Sequence, residues 1–322
     1  MIVQSEFAPA RWLRNPHAQT VWASTVRRIH LPTLQNERLE LPDGDFVDLF
    51  HLAGTSQFRV CLFHGLEGTL ESNYLKGLLN ALKRLGICAT LMMFRGCSGE
   101  PNRFLRTYHS GHTQDIRYLI SVLQSRNPQT PLAAVGYSLG GNALLKYQGE
   151  EQAASPLSIA IAVSPPFMLA GGARQLNRGI SKIYQRHLIK LMKKKMLIRL
   201  PVHTNAPFAP KDVIGVQTLY EFDDKITAPL HGFDGADHYY TECSSKKYLH
   251  KIASPTHIVY SRDDPFFECE SIPREQDLSS YVTLELSDHG GHVGFVAQSP
   301  TGMPNYWLEQ RLPEIIGAKM SA

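Results

Sequence analysis

At 322 residues, 43% apolar, 19% charged and 9% aromatic, the chain has the composition of a globular protein and is neither disordered, collagen-like nor coiled coil. Its length suits one large domain or two smaller ones, with enough core to dispense with disulfide or metal staples. The formal net charge of +4 is mildly basic, and what it means depends on where the excess sits. Five cysteines, at 61, 88, 97, 243 and 269, are odd in number and form no Cys-x-x-Cys pair, which fits neither a disulfide framework nor a zinc ribbon. Met1 to Thr20 mixes acidic and basic residues without an apolar run of signal-peptide length, and no stretch approaches ~18 consecutive apolar residues. A reduced, cytoplasmic chain is expected.

In chain order, residues 1–35 read as an irregular arm with Trp12, Trp22 and several Pro and Arg. A hairpin signal follows, with Arg38 to Leu41, a Pro42-Asp43-Gly44 turn and Phe46 to Leu52. From Arg59 short apolar runs alternate with helical segments. Val60 to Phe63, Ile87 to Phe94, Leu132 to Gly136 and Ile159 to Val163 read as strands; Ser72 to Leu85, His112 to Arg126 and Gly140 to Gln148 have helical spacing. Strands and helices in alternation imply βαβ units and a mostly parallel central sheet with helices on both faces, preceded by an antiparallel N-terminal hairpin. Between 165 and 250 the rhythm stops in a helical, polar stretch. It resumes with Thr256 to Tyr260, Val282 to Leu286 and a terminal helix from about Pro304 to Ile316. The expected layout is an α/β core of 36–164 and 251–322 with a helical cap insertion at 165–250, placed where such insertions commonly form active-site walls.

The sharpest local signal is Gly136-Tyr137-Ser138-Leu139-Gly140-Gly141, a Gly-x-Ser-x-Gly between an apolar strand and a helix. Glycines two positions either side of the serine allow a tight turn that exposes the hydroxyl. No phosphate-binding glycine motif competes for these residues. A serine hydroxyl is a weak nucleophile unless a base takes its proton, so the chain must also supply a histidine and an acid to orient it. The strand at 256–260 runs into Asp263-Asp264-Pro265, and the strand at 282–286 runs into Asp288-His289-Gly290-Gly291-His292. Acid and imidazole therefore arrive at the carboxyl ends of strands, where Ser138 also emerges. Asp264 is preferred to Asp263 because Pro265 fixes the backbone after it. His292 is preferred to His289 because Gly290-Gly291 can fold it back over the serine. Amide donors for an oxyanion are expected at Leu139, after the serine, and at Leu66, in the loop His64-Gly65-Leu66-Glu67-Gly68 after the first parallel strand. His64 is expected to hold that loop.

These runs, with Leu39 to Asp48, Phe94 to Asn102, Tyr108 to Gly111 and His289 to Phe295, resemble the α/β hydrolases and, among them, the bacterial YheT-like group of the AB hydrolase 4 family. The chain departs from that pattern at His112 and Gln114, where acidic residues would be expected. The resemblance implies an α/β-hydrolase fold, a Ser138, Asp264 and His292 triad, and hydrolysis of short- to medium-chain carboxylic esters through an acyl-enzyme, with no metal or organic cofactor. The same triad also serves acyl transfer or thioester hydrolysis, and a non-catalytic homologue that binds ligand is a further alternative.

The charge excess is local. Nine basic and no acidic residues lie between Arg174 and Arg199, leaving 24 basic against 29 acidic residues elsewhere. Steps of four from Arg174 to Lys194 predict a helical stripe opposite Ile180, Ile183, Tyr184, Leu188, Leu191 and Met192. The stripe is either a solvated helix face or a contact for an anionic membrane or acidic substrate; it lacks the interleaved aromatics of a nucleic-acid surface. The expected ligand is a small-molecule or lipid ester, with no obligate protein partner.

Overall fold

The computed structural model describes residues 1–203 and 205–320. Its main sheet has nine strands among the described residues. They are β1 (Ile2–Gln4), β2 (Gln35–Glu40), β3 (Phe46–Leu52), β4 (Arg59–Phe63), β5 (Cys88–Met93), β6 (Leu132–Tyr137), β7 (Leu157–Val163), β8 (Thr256–Ser261) and β9 (Val282–Ser287), in the spatial order β1-β9-β8-β7-β6-β4-β5-β3-β2. All neighbours are parallel except β2 with β3 and β3 with β5. The apolar runs that predicted strands are the central ones: Val60 to Phe63, Ala89 to Met93 and Leu132 to Val135 are all buried, as a sheet covered on both faces requires. Helices α1 (Pro16–Val21), α2 (Asn73–Arg84), α3 (Gln114–Arg126) and α4 (Leu139–Glu151) precede the segment between β7 and β8. In α2, Leu75, Leu78, Leu79 and Leu82 are buried on one face, as their spacing predicts.

The segment between β7 and β8 is helical: α5 (Leu169–Leu176), α6 (Lys182–Arg199), α7 (Pro210–Gly215), α8 (Leu219–Phe222), α9 (Ala228–His231) and α10 (Ala236–Cys243), with α11 (Leu308–Met320) closing the fold. It has its own apolar centre, in which Ile189 and Met196 of α6 meet Val213, Phe222 and Ile226.

Three expectations are corrected. The first 35 residues are not an irregular arm: Ile2–Gln4 pairs in parallel with Leu284–Leu286 as the sheet's edge strand, α1 is capped by the Asn15 side chain, and β2 already begins at Gln35. A three-residue strand carries no periodicity from which to be read. The terminal helix starts at Leu308, because Pro304–Tyr306 pairs antiparallel with Val296–Gln298 instead. The basic stripe does not run along one helix from Arg174, since the chain breaks between α5 and α6, where Gly179 takes φ +47°.

Candidate active site

Ser138 follows β6 at φ +48° and ψ −118°, a strained conformation for a residue with a side chain. Its amide donates to the Val163 carbonyl at 2.8 Å, tying the turn to β7. A Cβ added to Gly140 would stand 2.5 Å from the His64 carbonyl oxygen and 2.6 Å from that of Phe63. Glycine there lets α4 start directly against the end of β4.

The three side chains singled out at 138, 264 and 292 meet. His292 Nε2 lies 3.0 Å from Ser138 Oγ, and His292 Nδ1 lies 2.8 Å from Asp264 Oδ2. Asp264 is buried, and its Oδ1 accepts the Phe266 amide at 2.9 Å. With the Nδ1–H donated to that carboxylate, Nε2 presents its lone pair to the serine. The alternative candidates pair with each other: His289 Nδ1 is 3.3 Å from Asp263 Oδ2. Asp263 Oδ1 also accepts the Gly291 amide at 2.9 Å, so it shapes the turn that carries His292. Burial raises the Asp263 pKa.

Residues that sequence reasoning missed hold the imidazole. The Phe266 ring stacks on it with centroids 4.0 Å apart and planes 9° apart, and Phe267 meets it at 5.4 Å in an edge arrangement. Their position directly after Asp264-Pro265 was an available signal. Thr20 of α1 had none: its Oγ1 accepts the His292 amide at 2.9 Å and donates to the Pro16 carbonyl at 2.8 Å. Gly291, at φ +61°, allows that approach, because a Cβ there would stand 2.5 Å from the Pro16 oxygen.

Leu66 and Leu139 line the same cavity as Ser138 and His292, and neither amide donates to a protein acceptor among the described residues. The rest of the Leu66 loop is committed. The Gly65 amide donates to Tyr74 Oη at 2.9 Å, that of Glu67 to Tyr108 Oη at 2.8 Å and that of Gly68 to the Gly65 carbonyl at 3.0 Å. His64 spans the loop as expected, with Nδ1–H donating to the Gly65 oxygen at 2.7 Å and Nε2 accepting the Phe94 amide at 3.0 Å. Burial lowers its pKa to about 4, so it stays neutral. The cavity measures about 640 Å³ and is walled mainly by apolar side chains from both the sheet side and the β7–β8 segment, among them Leu169, Leu176, Ile183, Leu188 and Met192. Among the described residues no cluster of three or more His, Cys, Asp or Glu is arranged to hold a metal ion. No described helix is long and apolar enough to cross a membrane.

A strained serine at a strand-to-helix turn, facing an imidazole and a buried carboxylate from later strands of a mostly parallel sheet, defines a serine hydrolase of the α/β class. The family model Hydrolase_4, described as serine aminopeptidase S33, matches residues 54–271. The YheT protein of Escherichia coli (strain K12) is 41% identical over 99% of this chain and 95% of its own. The monoacylglycerol lipase of Saccharomyces cerevisiae is 30% identical over 73% of this chain and 54% of its own. The solved esterase Pf2001 of Pyrococcus furiosus shares the fold, with a TM-score of 0.58 at 14% identity over 91% of this chain and 98% of that one. The chain belongs to the Hydrolase_4 family of α/β hydrolases and is an enzyme of its esterase and lipase type.

Proposed function

We propose that the chain hydrolyses short- to medium-chain carboxylic esters, with Ser138 as nucleophile, His292 as general base and Asp264 holding the imidazole. The single observation that carries this reading is the 3.0 and 2.8 Å relay from Ser138 through His292 to Asp264, opening onto an apolar cavity. His292 takes the serine proton as Oγ attacks the ester carbonyl. The tetrahedral oxyanion is received by the Leu66 and Leu139 amides, each such donor worth ~3 kcal/mol of barrier. Collapse releases the alcohol, which takes its proton from His292, and a water activated by the same imidazole hydrolyses the acyl-enzyme. The apolar walls supply acyl-chain burial at about 0.8 kcal/mol per methylene.

The segment 165–250 is the cap of this site, and 36–164 with 251–322 its core; Ile183, Leu188 and Met192 of α6 supply part of the cavity roof. A reducing compartment suits five cysteines that are all free. The basic face is offered to an anionic membrane surface. Of the nine basic residues, Arg174 and Arg178 pair with Glu268 and Lys195 with Glu67. Lys193 donates to the Ile214 and Val216 carbonyls, and Arg199 is buried. Lys182, Arg186, Lys190 and Lys194 are exposed and form no ion pair among the described residues. They stand four apart along α6, beside the exposed Ile183 and Ile198.

A fluorophosphonate probe tests the central reading. Wild-type protein should be labelled and should hydrolyse p-nitrophenyl esters, and Ser138→Ala should do neither. Equal labelling of the two proteins would sink the assignment.

A further inference from the structure

Beside the active-site cavity lies a second one of about 260 Å³. Leu66, Tyr108, Met192 and Thr227 line both, so the loop that carries the Leu66 amide is part of their common wall. The second cavity is bounded by the Phe94 to Asn102 run, which the triad leaves without a role, and by the inner face of α6. Its ionic lining is Arg95, Lys195 and Arg199 against Glu67 and Glu100.

Most of these charges are spent. Arg95 holds Asp115 in a fork at 2.8 and 2.7 Å, with Asp43 at 2.6 Å and Asp45 at 3.5 Å. Glu100 pairs with Arg38 at 2.7 Å. Lys195 pairs with Glu67 at 2.9 Å and touches Cys97 Sγ at 3.2 Å, which leaves one of its three N–H groups. Arg199 differs. It is 5% exposed, and no carboxylate oxygen lies within ion-pair distance of it among the described residues. Its Nη2 donates to the Phe104 and Arg106 carbonyls. Among the described residues its Nε is buried without an acceptor, and its Nη1 has none.

A guanidinium offers five N–H donors in a rigid fork, and a buried one without a counter-ion costs several kcal/mol. Burial lowers the Arg199 pKa, with Asp45 and Arg95 opposing each other from a distance. The approach to Nη1 is clear because residue 96 has no side chain, where a Cβ would come within 3.5 Å of that nitrogen. Lys195 and Arg199 are one turn apart on α6, so both cations face the same space.

We propose that this second cavity is a binding site for a phosphate-type oxyanion, gripped by Nη1 of Arg199 and by the Lys195 ammonium. The oxyanion is either the phosphate of an ester substrate's headgroup, lying across the Leu66 wall from the reacting carbonyl, or free inorganic phosphate. The headgroup form rests on the ester-hydrolase reading; the anion site itself does not.

Titration calorimetry on the full-length Ser138→Ala protein, at fixed ionic strength, tests this without turnover. Its ligands are inorganic phosphate, a medium-chain monoacylglycerol phosphate and the monoacylglycerol of the same chain. Inorganic phosphate should bind, and adding Arg199→Met should weaken it about tenfold or more. Arg199→Met also removes two carbonyl contacts, so Lys195→Gln serves as a second variant, expected to weaken phosphate severalfold while far-ultraviolet circular dichroism stays that of the parent. A monoacylglycerol phosphate that binds about tenfold tighter than its neutral counterpart, with the preference lost in both variants, assigns the site to the headgroup. Phosphate binding that depends on these residues without such a preference assigns it to free phosphate. Absence of phosphate binding, or binding indifferent to both substitutions, overturns the proposal. Inorganic phosphate carries no ester to hydrolyse, so the result for the anion site stands whether or not Ser138 proves to be the nucleophile.

Discussion

Thr20→Val isolates the contact that reaches His292 from the far end of the chain. Valine keeps the shape and the branching at Cβ but removes the oxygen that accepts the His292 amide at 2.9 Å and donates to Pro16 at 2.8 Å. Thr20 is 9% exposed, so the amide loses its acceptor in a place that water enters poorly, a cost of about 1–3 kcal/mol. The Gly290 to Phe295 turn can relieve this by moving. Val293 at φ +57° and Phe295 at φ +44° already hold it away from relaxed geometry. An imidazole displaced by ~1 Å costs up to ~100-fold in rate. The expected result is a 10- to 100-fold fall in kcat/KM on p-nitrophenyl butyrate, a matching fall in the rate of fluorophosphonate labelling, and a melting temperature lower by only a few degrees. Thr20→Ser, which keeps the hydroxyl, should stay within about threefold of wild type. A Thr20→Val enzyme within twofold of wild type would refute the reasoning, and so would Thr20→Ser failing as badly as Thr20→Val.

Gly140→Ala places a methyl carbon within 2.6 Å of two main-chain oxygens; we expect a loss of about 3 kcal/mol or more in urea unfolding, with hydrolysis lost in parallel. Asp223 lines the active-site cavity, and its burial raises its pKa to about 6 despite hydrogen bonds from Thr227 and Tyr240. Since the folded state holds that proton more tightly than the unfolded one, stability falls as pH rises from about 4 to 6 and the loss is complete above 7. The melting temperature of Asp223→Asn minus that of wild type should therefore grow across that window, and a difference independent of pH would contradict the assignment. Replacing Lys182, Arg186, Lys190 and Lys194 together by Gln removes four exposed cations at about 1 kcal/mol each near an anionic surface. The affinity for phosphatidylglycerol vesicles, read by co-sedimentation, should drop on the order of 1,000-fold, and equal sedimentation of variant and wild type would exclude this face as the contact.

Legibility in the sequence followed the range of the interactions. The strands from β4 to β9 and the helices α2 to α4 announce themselves because apolar period and turn residues act within a dozen positions. That Asp264 and not Asp263 contacts His292 agrees with the local backbone constraint expected from Pro265, and His64 spans its own loop. Thr20 was not readable, because nothing near it says that residue 292 will be its neighbour. Ile2–Gln4 is too short to show a period, and its pairing is set by the exposed edge of β9. The charge stripe failed for the opposite reason: spacing alone extends a helix through Asn177 to Gly179, while the left-handed glycine ends it. Beyond that break Lys182, Arg186, Lys190 and Lys194 are exposed, and Arg199, read as one more surface cation, is drawn inside by the carbonyls of Phe104 and Arg106.

The pairing of Ile2–Gln4 with Leu284–Leu286, together with the Thr20 contact to His292, also sets the order in which the molecule can be completed. Bringing together segments about 280 residues apart carries a loop-closure cost of roughly 5 kcal/mol, repaid only once the intervening sheet has brought β9 into place. The socket for His292 is thus among the last parts to form during refolding. Recovery of hydrolysis should trail recovery of far-ultraviolet circular dichroism, and partly folded chains should carry a nearly complete sheet with an idle serine.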